Sequence, residues 1–450
     1  MCSAISVSPL CAICTHRSIT NGTAEENAHL VTMLNNLVVP AVRSQEAPIR
    51  ERGFCCLGLC CLLGKNLAEE NLTLFLHCFA KGHSALQTIA LQIIADILIT
   101  HPSLLAEPDP NVTSVTEQQP AGNPLIKSIL KAFSKSLKSD DPTVQSTGAT
   151  SLSKAMLSRL ITDTDLLKQL VVAYFDPETS ANAHLRQSLS YFLPVYCHSH
   201  AENAARMVMV CCPVISKLIN MRNDFLEDAD VNSGGDSEGS MVKLSVIAQM
   251  LVDWTDPRKI VGFAEAAGSA KAADGAGDTH FFLAESILDY LVTSQCAREE
   301  RKVLCSMLGK LHLPAGGCDG ERLKSVLELL AEAIDTGVAV DATSRNIFIK
   351  LQTQLLRLMH DVMTAERGGG GAEETVLETT EMPAQVGAEA TEEVVEEVDE
   401  GEEEAEEEEE DVTQLRRTMR DTSIGAPDAE GTRMQLGEDS EMMDVDDEDD

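Results

Sequence analysis

Apolar residues in this chain recur at the three- and four-residue steps that line one face of a helix. Four segments share a tighter pattern, an apolar residue, a small or apolar one and an apolar one at four-residue steps. They are Ile49, Gly53 and Leu57; Leu86, Ala90 and Ile94; Val144, Gly148 and Leu152; and Leu185, Leu189 and Leu193. Such a trio lies along one helical stripe, and a small middle member lets a neighbouring helix approach closely. The first members are separated by 37, 58 and 41 residues. The long step contains HPSLLAEPDPNVTSVTEQQPAGNP, whose Pro, Asn and Gly content marks a loop insertion of roughly 20 residues.

Without that insertion every step is close to the period of two-helix HEAT or armadillo repeats, which bury their apolar faces only by stacking on one another. The chain is therefore expected to be all-α, a HEAT/armadillo-like α-solenoid. Its first helix, TAEENAHLVTMLNNLVVPAV, has Thr23 as N-cap and Glu26 as capping-box partner, and its stripe of Leu30, Met33, Leu34 and Leu37 should face the next helix. The helix from Pro48 to Leu63 is apolar nearly all round, as for a helix inside a stack. Further helices are read at 71–82, 83–101, 123–141, 142–160, 163–176, 183–200 and 202–222, with Pro194 and Pro213 expected to kink or end theirs. Beyond a short helix in 241–256 come helices in 280–295, 298–311 and 321–334, then a long amphipathic one over 342–365 that suits a terminal cap. Burying four large side chains per inner helix contributes about 6–12 kcal/mol of gross transfer free energy. Conformational entropy offsets most of it, so a repeat should not stand alone.

The solenoid is assigned to residues 23–365, with loops at 102–124, 224–240 and 264–279. Residues 1–22 fit no repeat and are left unassigned, with disorder expected. Charge draws the other boundary. Of the net charge of −37, residues 366–450 supply 33 acidic against 5 basic side chains, leaving about −9 for the first 365. That segment is expected to be a disordered acidic tail.

The first residues lack the basic region of a secretion signal, and no uninterrupted apolar run nears the roughly 18 residues of a membrane span, so no membrane partner is expected. Most of the 14 cysteines fall inside helical patterns, where thiols act as small apolar groups in a reducing compartment. Cys11 and Cys14 form a CxxC with His16 nearby, but nothing completes a tetrahedral set, so neither a metal nor another cofactor is assigned. No GxxxxGK, HExxH or GxSxG motif occurs, and the chain is not expected to be an enzyme.

Binding is the remaining class. Lys127, Lys131, Lys135 and Lys138 align on one side of a helix opposite Ile126, Leu130, Phe133 and Leu137. Aligned lysines suit salt-sensitive contacts to the phosphates of double-stranded DNA without reading its sequence, though such a stripe is equally an ordinary solvated face. Arg43, Arg50, Arg52 and Lys65 form a second, weaker group.

Two blocks carry a resemblance. IRERGFCCLGLCCLLGKNLAEENLTLFLHCFAKG resembles the start of the C-terminal domain of the condensin subunit 3 family, the CAP-G type of HEAT subunit. LITDTDLLKQLVVAYFDPETSANAHLRQSLSYFLPVY is similar to that family's signature. Tyr174, Phe175, Asp176 and Pro177 end one helix; after an extended linker Leu185, Arg186 and Gln187 open the next, which closes through Phe192, Leu193 and Pro194. The similarity extends over residues 24–222 and, more loosely, 241–365. It implies a non-catalytic condensin subunit in mitotic chromosome condensation, scaffolding a kleisin subunit, meeting the SMC ATPases through it, and contributing to DNA binding. The implied location is the nucleus and mitotic chromosomes, with the cytoplasm in interphase. The repeats that supply half of the kleisin and DNA groove in such subunits have no counterpart in these residues. The alternative is a HEAT adaptor or transport scaffold whose acidic tail binds histones.

Overall fold

The computed structural model describes residues 28–105, 124–232, 242–261, 278–314 and 320–368. The Cys11, Cys14 and His16 group, the Thr23 and Glu26 cap, and the acidic tail from residue 369 lie outside them. Among the described residues there is no strand. The helices are α1 (Ala28–Val42), α2 (Ala47–Leu63), α3 (Lys65–Lys81), α4 (Ser84–Thr100), α5 (Pro124–Leu137), α6 (Pro142–Leu157) and α7 (Thr164–Phe175). They continue with α8 (Ala183–Ser199), α9 (Ala201–Asn232), α10 (Leu244–Trp254), α11 (Thr279–Thr293), α12 (Arg298–Leu308), α13 (Gly320–Asp335) and α14 (Ala342–Gly368).

Packing sorts them into two layers. Even-numbered helices from α2 to α14 each touch the next even one, odd-numbered helices from α3 to α13 each touch the next odd one, and each odd helix pairs with the even helix that follows it. This is the α-solenoid expected from the repeats. One contiguous core runs from Leu30 to Leu355.

The trios lie in the even layer, each starting at the third residue of α2, α4, α6 or α8. Eleven of their twelve residues are buried; Ile49 is 44% exposed, whereas Leu86, Val144 and Leu185, at the same third position of their helices, are buried. The small members act as read. A Cβ on Gly53 would come 2.6 Å from the Val42 backbone nitrogen of α1, and one on Gly148 would overlap Ser136 of α5.

Several expectations are corrected. In α1, Leu34–Val38 is a π-helical turn. Its extra residue turns Leu37 out, 59% exposed, and brings Val38 in. Helix α3 starts at Lys65, directly after Gly64, rather than at Asn71. Pro194 and Pro213 end nothing: α8 runs on to Ser199, and α9 reaches Asn232, where a loop was expected from 224. Buried Leu193, Tyr196, Cys197, Val214 and Ile215 hold the helices together past each missing N–H. Ala201–Asp224 of α9 is long and apolar enough to cross a membrane, yet 56% of its most apolar 18-residue stretch, of mean hydropathy 1.4, is buried within the protein. Its apolar girth reflects neighbours on several sides, namely α7, α8, α10 and α11.

Candidate functional site

The lysine stripe sits on α5, in the odd layer between α3 and α7. Its opposing buried face is Ile129, Ala132, Phe133, Ser136 and Leu137. Ile126 and Leu130, expected there, are only half-buried, because α5 is turned to seat Ser136 against Gly148. Ser134 Oγ donates to Gln169 Oε1 at 2.9 Å and ties α5 to α7. Lys127, Lys131, Lys135 and Lys138 all face solvent. Lys135 Nζ lies 6.0 Å from the centroid of the Phe79 ring of α3. A groove of about 500 Å³ runs between these helices, with Lys131, Lys135 and Lys138 on its wall and Asp140 at one end.

Among the described residues none of the four lysines has a carboxylate partner, whereas other cations of the solenoid do. Arg159 meets Glu202 at 2.8 Å, Arg322 meets Asp278 at 2.7 Å, Arg258 meets Asp256 at 2.7 Å, and Arg222 is paired with Glu299. Among the described residues the stripe thus presents positive charge outside any ion pair. Farther along the odd layer the sign reverses: a groove of about 400 Å³ between α11 and α13 is lined by Glu285, Asp289, Glu328 and Glu332.

The second cationic group does not join the stripe. Arg43 and Arg52 are exposed on α1 and α2, which pack on each other and on α3 and α4. Arg50 is engaged: its Nη1 donates to the carbonyls of Ser44 at 3.2 Å and Gln45 at 3.4 Å.

The signature residues converge at the turn from α7 to α8. Asp163 opens α7 by accepting from the Leu166 N–H at 2.8 Å, and Asp176 closes it and accepts from the Glu178 N–H at 2.9 Å. Pro177–Thr179 forms a 3₁₀ turn, so the linker is coiled where an extended one was expected. Asn182 then caps α8, accepting from the Leu185 N–H at 3.2 Å while its Nδ2 donates to Pro142 O of α6 at 2.9 Å. Arg186 reaches back over the turn. Its Nε donates to Thr179 Oγ1 at 3.1 Å, its Nη2 donates to the Asp176 carbonyl, and its guanidinium lies 5.9 Å from the Tyr174 ring centroid.

Tyr174 and Phe175 are buried, and the Trp254 ring of α10 sits 6.1 Å from the first and 6.0 Å, stacked, from the second. Burial pushes the Tyr174 hydroxyl up to about 12 and pulls the Arg186 guanidinium down from its ordinary value. Leu185, Phe192 and Leu193 are core, Pro194 is half-buried and Gln187 is exposed. The cluster is a structural lock. Sequence reasoning missed Thr179, Asn182 and Trp254, whose partners are backbone carbonyls or rings distant in sequence.

For chemistry the described residues offer little. No group of three or more His, Cys, Asp or Glu side chains among them could hold a metal ion. Burial pushes the Cys60 thiol up to about 11 and Cys61 up to about 12, away from the thiolate a nucleophile needs.

Fold and surface together define the class: an all-α solenoid with a row of exposed lysines along one helix. The chain belongs to the condensin subunit 3 family, since residues 12–313 match the model of the C-terminal domain of nuclear condensing complex subunits. A condensin complex subunit 3 of Schizosaccharomyces pombe is 33% identical over 381 residues, covering 84% of this chain and 39% of that protein. One from Saccharomyces cerevisiae is 32% identical, covering 76% of this chain and 31% of its own length. The chain thus spans well under half of these curated relatives. A crystal structure of the S. pombe condensin Cnd3-Cnd2 subcomplex superposes with a TM-score of 0.59 at 28% identity, covering 75% of this chain and 40% of the solved one.

Proposed function

We propose that this chain is a non-catalytic regulatory subunit of a nuclear condensin complex that acts in mitotic chromosome condensation. It scaffolds an extended segment of the kleisin subunit, meets the SMC ATPases through it, and adds sequence-independent contacts to duplex DNA. The observation that carries the DNA contact is the row of four exposed lysines on α5, which have no carboxylate partner among the described residues. Partner binding is supported by the relative solved as a Cnd3-Cnd2 subcomplex. ATP hydrolysis belongs to the SMC partners, in keeping with the absence of nucleotide motifs from this sequence.

The test is a pull-down of the full chain with the cognate kleisin, followed by duplex DNA binding over a salt series. Stoichiometric capture is expected, with DNA affinity falling steeply as salt rises. Changing Lys127, Lys131 and Lys135 to Glu should weaken DNA binding by about tenfold or more at low salt and flatten the salt slope by about 0.9 per lost phosphate contact. Unchanged DNA binding by the folded triple variant would remove α5 from the interface. Failure of the folded chain to capture kleisin would favour the adaptor reading.

A further inference from the structure

Among the described residues, the last helix of the stack is covered on one side only. Phe348, Leu351 and Leu355 of α14 are buried where it packs on α12 and α13. Ile349, Leu356 and Met363 stand 58%, 55% and 52% exposed. Seven-residue steps keep these three on one line along a helix. Lys350 and Arg357, each one residue further on, flank that line; both are exposed, and among the described residues neither has a carboxylate partner. From Ala342 to His360 the helix holds Arg345, Lys350 and Arg357 and no acidic residue, in a chain whose net charge is −37.

An apolar ridge edged by cations fits a ligand that sets apolar groups among carboxylates. It differs in this from α5, where none of the large exposed apolar residues lies beside the lysines. The chain itself contains such a ligand. Residues 391–400, TEEVVEEVDE, place Val394, Val395 and Val398 among six carboxylates. Val394 lies 26 residues beyond Gly368. A random coil of that many residues has a root-mean-square span of about 25–30 Å. From the end of α14 back to Leu356 the distance is about 18 Å at the helical rise. A tether matched to its span gives an effective concentration in the millimolar range, so even a weak contact is occupied. A second copy of the same face would instead set cations against cations.

We propose that residues 391–400 dock on the outer face of α14, the three valines against Ile349, Leu356 and Met363 and the carboxylates against Lys350 and Arg357. This assignment is independent of the DNA and kleisin reading.

The test is zero-length carbodiimide cross-linking of the full chain, mapped by mass spectrometry on an equal mixture of light and ¹⁵N-labelled protein. Lys350 should be joined to acidic residues of 392–400 within one molecule. Changing Val394, Val395 and Val398 to Ser, outside the solenoid, should lower that yield at least about fivefold and raise amide exchange over 349–363 severalfold, with α7 and α8 unchanged. Links from the acidic segment to Lys127, Lys131 or Lys135 instead of Lys350, links of mixed isotope, or exchange over 349–363 indifferent to the valine changes would each overturn the proposal.

Discussion

Arg186 holds a place that recurs through the stack. It directly follows the first member of its trio, as Arg50, Gln87 and Gln145 follow theirs. Each of these side chains donates to a backbone carbonyl at or beyond the end of the preceding helix: Arg50 to Ser44 and Gln45, Gln87 to Phe79 at 3.0 Å, Gln145 to Leu137 at 3.1 Å, and Arg186 to Asp176. The last four carbonyls of a helix lack intrahelical donors, and one long polar side chain per repeat satisfies some of them. Replacing Arg186 with Ala should cost about 2–3 kcal/mol in urea denaturation, the range for a lost hydrogen bond from a charged group with part of its packing. Lys should recover less than half, because an ammonium cannot span two acceptors and a ring. A loss below about 0.5 kcal/mol, the size of an ordinary surface change, would remove the clamp from the account. Motif reading singled out Arg186 but not its work, since its acceptors are main-chain oxygens that leave no trace in side-chain spacing.

At the scale of elements, the periodicity carried furthest where a helix has one buried face. The trios, the Asp163-to-Asp176 span of α7 and the stop before Pro102 were legible because local pattern and tertiary packing agree there. It failed where packing overrides local preference: the π-helical turn of α1, the rotation of α5 around Ser136, and the passage of α8 and α9 through proline. A polar joint deeper in the stack was equally invisible. His280 of α11, 1% exposed, has Nε2 3.2 Å from Val252 O of α10, and its Nδ1 accepts from the His312 N–H at 2.8 Å. One ring nitrogen donates and the other accepts, so the neutral imidazole is required. Burial holds its pKa below the ordinary value, outweighing the neighbouring Asp256 carboxylate. The unfolded chain therefore binds this proton more readily than the folded one. Stability from this joint is present above about pH 6.5 and falls as pH drops through the ordinary histidine range toward the depressed folded value. Urea midpoints measured from pH 7.5 to 5.5 should decline, and His280→Gln should flatten that slope; an equal slope in both proteins would exclude the joint as its source.

Across the described molecule the odd layer changes sign, from lysines around α5 to carboxylates between α11 and α13, so its two grooves present opposite charge. The lysine end was legible from the spacing of Lys127, Lys131, Lys135 and Lys138 along one helix. The acidic groove was not legible, because Glu285 and Glu328 share it only after α11 and α13 stack.

The ladder of neighbours has a mechanical side. Load applied to the two ends of such a stack passes through its helix-to-helix steps in series, so compliance adds up and the softest step yields first. Trp254 spans one step, bracing α10 against Tyr174 and Phe175 of α7 and so stiffening the middle of the rod. Pulled between α1 and α14 in an optical trap, the chain should unravel from its ends inward in increments of one helix pair, with α7 to α10 yielding last, and Trp254→Ala should move that final event to lower force.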